Sequence, residues 1–436
     1  MHTLEQLRSG ALAGTRWLDL SAGLTELPNE VFALADTLEV LNLSGNRLTS
    51  LPHDLSRLHH LKIVFCSDNP FTELPEVLGD CPALQVVGFK ACDIHRVSGA
   101  ALPPALRWLI LTDNAIEHLP DALGERPLMQ KLMLAGNRLS ALPEGLAHAG
   151  RLELLRLSAN RFEQLPAWLT ALPRLSWLAL SGNPLGWTVP APTPLPTVPW
   201  ADLQIGEALG EGASGRISRV TLAGHGQGLA LKLFKGAVTS DGLPEHELAG
   251  SLVAGQHRAL CTPVAELSAH PQGTPGLLLP LIPPGHVHLA GPPSMASCTR
   301  DVYAEGWRIG AAQALRLART VAGAVAHLHL QGVMHGDLYA HNILWDPQSG
   351  DAMLSDFGAA TLLPTDRPAQ RLALLALEVR AFGCLLEELV AHAQRVADEA
   401  PAWVVLEELA RACLQTDPAL RPTLDDAVLA LERVAA

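Results

Sequence analysis

Lysine is almost missing from this chain, with five in 436 residues, and tyrosine occurs twice. Charged residues make up only 17%, and acidic groups outnumber basic ones by 44 to 31, a formal net charge of −13. That balance excludes a phosphate-neutralising nucleic-acid surface as the main feature. The deficit is shared: residues 1–200 hold 15 Lys+Arg against 19 Asp+Glu, and residues 201–436 hold 16 against 25. The seven cysteines form no CxxC pair, so neither a disulfide framework nor zinc-ligand spacing is present, and thiols kept reduced in a cytosol fit best. The opening MHTLEQLRSG lacks the basic-then-apolar order of a secretion signal. Apolar runs such as LLLPLI are too short or too Pro-broken to span a bilayer. The expectation is a cytoplasmic protein with neither membrane nor nucleic acid as partner. What remains is a 48% hydrophobic chain long enough for two or three domains, each with its own core.

A repeat organises the first part. Aligned on the Asn of L-x-L-x-x-N, copies end at Asn46, Asn69, Asn114, Asn137, Asn160 and Asn183, spaced by 23 residues except where two repeats with one residue missing separate Asn69 from Asn114. In that gap VGFKAC puts Cys92 at the Asn position, and LDLSAG, ending at Gly23, is a shortened first copy. Leu-Pro follows each turn at Leu27, Leu51, Leu74, Leu119, Leu142 and Leu165, with Val97-Ser98 the exception. Each Leu-x-Leu reads as a short strand with leucines turned inward, while the Asn satisfies turn backbone groups that would otherwise be buried unpaired. One repeat cannot bury its apolar face, but about eight stacked repeats can. These positions resemble the leucine-rich repeat family, which implies an α/β solenoid, a horseshoe, over residues 17–186, preceded by a capping helix in residues 1–16. By that resemblance a protein substrate or regulator binds the strand face, with Trp17, Phe65, Trp108, Arg156 and Trp177 as the candidate contacts.

PLGWTVPAPTPLPTVPW, residues 184–200, holds six prolines in 17 positions. It reads as a semi-rigid polyproline-II spacer unable to continue a strand or helix, and residues 187–200 are assigned as the linker.

The chemistry-bearing residues follow. ALGEGASGRISRV carries Gly210, Gly212 and Gly215. A dinucleotide motif would open a helix, but here a strand pattern follows, then AGHGQG as a turn and LALKLF as another strand, so the glycines sit on a hairpin that lets backbone approach phosphates. Lys232 lies inside the apolar LALKLF and needs an anionic partner. Glu247 in LPEHELAGSLV is the expected carboxylate, with Glu245 as the alternative. TPGLLLPLIPPGH reads as a strand leading into a connection, and a long amphipathic helix, ALRLARTVAGAVAHLHLQG, leads into HGDLYAHNIL. Asp337 and Asn342 stand five apart there, a spacing no packed core requires, and LSDFGAA brings Asp356.

Gly-rich loop, A-x-K, HxD…N, DFG and DPxxRP, in that order, resemble the eukaryotic-type protein kinase family over residues 201–436. The resemblance implies a bilobal α+β fold, with an N-lobe at 201–282 and a C-lobe at 283–436, and ATP and Mg²⁺ as cofactors. The whole chain would then be a bacterial-type leucine-rich-repeat kinase. Lys232 would orient the α/β-phosphates, Asp337 would take or orient the substrate hydroxyl, and Asn342 and Asp356 would hold Mg²⁺. Gly210, Gly212, Gly215, Ile217, Ala230 and Glu247 would surround the nucleotide, with backbone near Pro280 and Ile282 facing the adenine. Ser/Thr specificity is expected over Tyr.

The departures are specific. Tyr339 stands two residues after Asp337 where Ser/Thr kinases carry Lys, and His341 stands four after it where tyrosine kinases commonly carry Arg. Ala-Pro-Glu is missing. Glu378 replaces the Asp of DxxxxG, Arg421 lacks its usual carboxylate, and Thr361 and Thr365 are candidates for phosphorylation. A pseudokinase scaffold and a small-molecule phosphotransferase are therefore the alternatives.

Overall fold

The computed structural model describes residues 1–212, 214–222, 228–236, 238–396 and 400–433. The turn expected at AGHGQG lies, except for Gly228, outside the described residues. Contacts divide the chain into two compact units: Met1–Arg174 with Asn183–Leu185, and Leu175–Gly182 with Gly186–Ala436.

The first unit is built from three-residue strands, one per repeat, from Trp17–Asp19 to Leu154–Arg156, paired in parallel and in register. Their central leucines and valines, such as Leu18, Leu41, Val64, Leu109 and Leu132, are completely buried. The asparagines form the ladder their spacing implies. Asn137 Oδ1 accepts from Ile116 N–H (3.1 Å), while its Nδ2 donates to Leu111 O (2.8 Å) and Leu134 O (3.0 Å). Asn160 repeats this pattern one repeat later. At Cys92 the thiol donates to Cys66 O at 3.5 Å, a weaker version of the same bond. The residue before each ladder position takes a left-handed backbone, as Gly at 45, 136 and 182 but as Asp68, Ala91, Asp113 and Ala159 elsewhere. The N-terminal helix is shorter than expected. It covers Leu4–Arg8, closed by a capping box between Thr3 and Gln6.

In the second unit, the strand pairs Leu203–Glu211 with Gly215–Leu222, and the latter with Gly228–Phe234, are antiparallel and continue to Gly276–Pro280 and Ala265–Ser268. The Pro-rich stretch corrects its own reading: Thr197–Pro199 is a strand, parallel to Ala265–Ser268 at the sheet edge. An edge needs hydrogen bonds on one side only, so Pro is tolerated there. Leu203, Val220, Leu231, Ala265 and Leu278 form the core under this sheet.

The helix Ala311–Gln331 follows, buried along Ala314, Leu317, Ala318, Val321, Ala322, Val325 and Leu328, the i, i+3, i+4, i+7 stripe. Gly332 ends it with a left-handed backbone whose N–H returns to His329 and Leu328 carbonyls. The helices Pro368–Ala391, Ala400–Cys413 and Leu424–Glu432 pack around it. Arg421 donates to the carbonyls of Gln415 (2.9 Å) and Ala376 (2.8 Å). Among the described residues no helix is long and apolar enough to cross a membrane.

Two of the expected contact residues on the strand face are corrected. Arg156 is 2% exposed and Trp177 1%, so neither is a free surface for a partner, whereas Trp17 is 47% exposed and Phe65 and Trp108 are half-buried. Burial follows from tertiary neighbours that a repeat pattern does not record.

Asn137→Ala removes one acceptor and two donors from buried backbone, and should destabilise the first unit by about 2–4 kcal/mol. Urea denaturation followed by far-UV circular dichroism measures it; a change under about 0.5 kcal/mol would mean the ladder carries no stability.

Candidate active site

Register places the upper half of the site. The strand Gly228–Phe234 sets Lys232 opposite Ile217 on one side and Leu277 on the other, and sets Ala230 opposite Leu279 and Leu229 opposite Pro280. Gly215 lies where a Cβ would come within 2.6 Å of Leu233 O and 3.3 Å of the Lys232 side chain, so only glycine fits. Gly210 and Gly212 are different: nothing lies within 4 Å of where their side chains would be. Bare backbone there faces open space, as a phosphate cradle requires.

The Lys232 ammonium is 14% exposed and forms an ion pair with Glu247, 6% exposed, on the helix Pro244–Ala254. This resolves the choice between Glu247 and Glu245. Burial pushes the Glu247 carboxyl up, Lys232 pulls it down, and the Asp356 charge pushes it up again, with a raised value as the result. Asp356 therefore lies within electrostatic reach of the pair.

The lower half rests on a hairpin. The strands Ile343–Trp345 and Ala352–Leu354 are antiparallel with Ile343 opposite Leu354, so Asn342, just before one, and Ser355 and Asp356, just after the other, meet at the same end. Ser355 closes the end, its N–H (2.9 Å) and Oγ (2.8 Å) both donating to Asn342 O. Asn342 Nδ2 donates to Asp337 Oδ2 (2.8 Å) and Asp337 O (2.9 Å), fixing the Asp337 side chain and leaving Asn342 Oδ1 as an oxygen donor. Asp356 holds a left-handed backbone, φ 63°, and its Oδ1 accepts from Gly358 N–H at 3.0 Å. A carboxylate and an amide oxygen are the hard donors that Mg²⁺ takes. Lys232, Glu247, Asp356, Asn342 and Asp337 are thus brought together, while Pro280 and Ile282 (38% exposed) lie on the segment leaving the sheet.

Glu378, the residue standing for Asp, anchors the loop from below. It is 1% exposed; its Oε1 accepts from Gly336 N–H (2.8 Å) and its Oε2 from His335 N–H (3.1 Å) and His329 Nε2 (2.9 Å). Burial alone would raise this carboxyl, but the His329 bond and charge, His335 and the Gly336 N–H outweigh it and the value is lowered.

His341 stands where tyrosine kinases commonly carry Arg, so the cation there is missing or replaced by this imidazole. Its Nδ1 pairs with Asp301 Oδ1 (2.7 Å), and its N–H donates to Asp301 Oδ2 (3.0 Å). Burial lowers His341, yet Asp301, with Asp337 and Asp356 beyond it, raises it above the ordinary imidazole value. Asp301 was invisible in the sequence, since it sits in an irregular segment with no spacing to mark it. Thr361 is 2% exposed, so its hydroxyl is not a free acceptor for phosphorylation.

Family models place this geometry. Residues 203–375 match the protein kinase domain, residues 127–185 match a leucine rich repeat model, and residues 36–79 match one described as leucine rich repeats (2 copies). The chain is a fusion of leucine-rich repeats with a protein kinase domain. Over 117 residues, 26% of this chain, the fusion is 30% identical to the "probable inactive serine/threonine-protein kinase roco10" of Dictyostelium discoideum, and spans 4% of that protein. Among solved structures, the twitchin kinase region from C. elegans (Fn31-NL-kin-CRD-Ig26) is similar at 18% identity and a TM-score of 0.41, covering 55% of this chain and 48% of that one. A kinase domain implies use of ATP and a divalent metal in general, and leucine-rich repeats commonly mediate protein interactions.

Glu378→Gln sets an amide N–H against backbone donors, and should cost about 2–4 kcal/mol in thermal or chemical melts of the kinase domain. Because the Glu378 carboxyl is lowered on folding, its contribution is complete above the ordinary carboxylate range and disappears as pH falls through the folded value. The stability gap between wild type and Glu378→Gln should therefore close in acid; a gap that stays constant into strong acid would show that charge plays no part.

Proposed function

We propose that this chain is an ATP-dependent protein kinase that transfers the γ-phosphoryl group to protein hydroxyls, Ser/Thr more readily than Tyr, with its repeats recruiting substrate or regulator. The observation that carries the reading is the convergence of the Lys232–Glu247 pair, with the Asp356 charge close by, and the Asp337–Asn342 pair. Mg²⁺–ATP, when bound, supplies the transferable phosphoryl group and the charge that neutralises it. Lys232, held by Glu247, orients the α/β-phosphates. Gly210, Gly212 and Gly215 offer backbone to the phosphates, and Ile217 and Ala230 line the adenine side with the backbone near Pro280 and Ile282. Asn342 Oδ1 and the Asp356 carboxylate are the metal ligands. Asp337, its side chain fixed by Asn342 Nδ2, receives the substrate hydroxyl proton or orients that hydroxyl. His341, held by Asp301, is the candidate to replace the cation that Tyr339 does not supply.

Tyr339 is the observation that favours the second reading, a scaffold that binds nucleotide and transfers little. Incubation of the full chain with radiolabelled ATP, Mg²⁺ and a generic protein substrate separates the two. Asp337→Asn and Lys232→Met should each lower transfer about 10²-fold or more, since positioning and charge stabilisation carry this chemistry. Transfer equal in wild type and Asp337→Asn would overturn the assignment. ATP-dependent thermal stabilisation without turnover would establish the scaffold, and transfer only to aminoglycosides or choline would establish a small-molecule phosphotransferase.

A further inference from the structure

Within the second unit one segment is used by nothing in the proposed chemistry, yet it is seated on the residues that carry it. Leu175–Gly182 belongs to this unit by its contacts, and its extended core is the strand Trp177–Ala179. The Trp177 indole lies face to face with Tyr339, ring centroids 4.2 Å apart and planes 9° from parallel, and its Nε1–H donates to Leu338 O at 2.9 Å. These are the first and second residues after Asp337. Leu178 O sits so close to Gly336, the residue before Asp337, that a Cβ there would come within 2.7 Å of it.

Two further contacts extend the seat. Leu180 N–H donates to Thr361 Oγ1 (3.1 Å), five residues after Asp356, and Arg380 Nη1 donates to Ser176 Oγ (2.9 Å). At its far end Gly182 leaves no room for a Cβ beside the His246 ring, the neighbour of Glu247. Residues 186–188 continue the attachment: Thr365 donates to Thr188 O from both N (2.8 Å) and Oγ1 (3.0 Å), Thr188 N–H donates to Asp366 Oδ1 (3.1 Å), and Arg367 Nη2 donates to Gly186 O (3.2 Å).

We propose that residues 175–182 are an autoinhibitory latch, an extended strand lying where a substrate chain must come to present its hydroxyl to Asp337, with Trp177 on Tyr339 as its bolt. The inference rests on the kinase reading above and names the regulation of that same site. The latch closes the protein side and leaves the nucleotide side built, because Lys232 and Glu247 remain paired while it is seated. Tyr339, standing where a cation is usual, gives the indole a flat ring to stack on. The latched chain binds Mg²⁺–ATP normally and phosphorylates other proteins slowly.

The full-length chain tests this directly. Trp177→Ala should raise kcat/KM for a generic protein substrate by about tenfold or more and leave KM for ATP within about twofold. Trp177→Phe, which keeps a ring but loses the Nε1–H donor, should fall between and serves if the alanine variant does not fold. A wild type that phosphorylates added protein as fast as Trp177→Ala and Trp177→Phe would overturn the latch. Hydrogen exchange answers independently of turnover: in wild type residues 178–181 and 336–341 should be protected, and Trp177→Ala should accelerate both together by about tenfold. Unchanged exchange in a folded variant overturns the latch, whereas accelerated exchange with no transfer in any variant overturns the kinase reading and the inhibitory role with it, leaving only the seating of residues 175–182 on the loop.

Discussion

The backbone from His335 to Tyr339 belongs to no strand or helix, and its N–H groups have no ladder to join. Here one buried carboxylate meets that need. Glu378 takes the N–H groups of His335 and Gly336 and the ring of His329 at once. Everything above it depends on this anchor, because Asp337 follows directly and Asn342 is bonded to Asp337. A buried charge is costly unless it is fully hydrogen-bonded, and three donors on two oxygens meet that condition.

The same loop faces two ways. Toward the sheet it presents Asn342 and, through the Ile343–Leu354 register, Asp356, near the Lys232–Glu247 pair. Toward residues 175–182 it presents Leu338 O and the Tyr339 ring. One departure from the kinase pattern falls on this second side, Tyr339 in place of a cation.

The seated segment also bears on the repeats. Trp177 and Arg156 have the residue types that populate binding surfaces, yet both are buried, while Trp17, Phe65 and Trp108 keep exposed area. Residue type alone ranked all five together. Only their neighbours separate them.

Legibility followed the range of the interaction. The 23-residue period, the inward leucines and the Asn ladder were readable because each is a contact between one repeat and the next, written again in every copy. The order Gly-rich loop, Lys232, Asp337, Asn342 and Asp356 was readable because the chemistry fixes residue types at short spacings. The Glu247 partner was nearly so, one helix turn deciding between two carboxylates. What no spacing recorded was long-range: Asp301 reaching His341 across 40 positions, Leu180 reaching Thr361 across 181, the Thr197–Pro199 strand at a sheet edge despite its proline, and Trp177 lying on the Tyr339 ring. Local periodicity and motif chemistry are carried by the chain itself, but a contact between distant single residues exists only once the backbone between them has been packed.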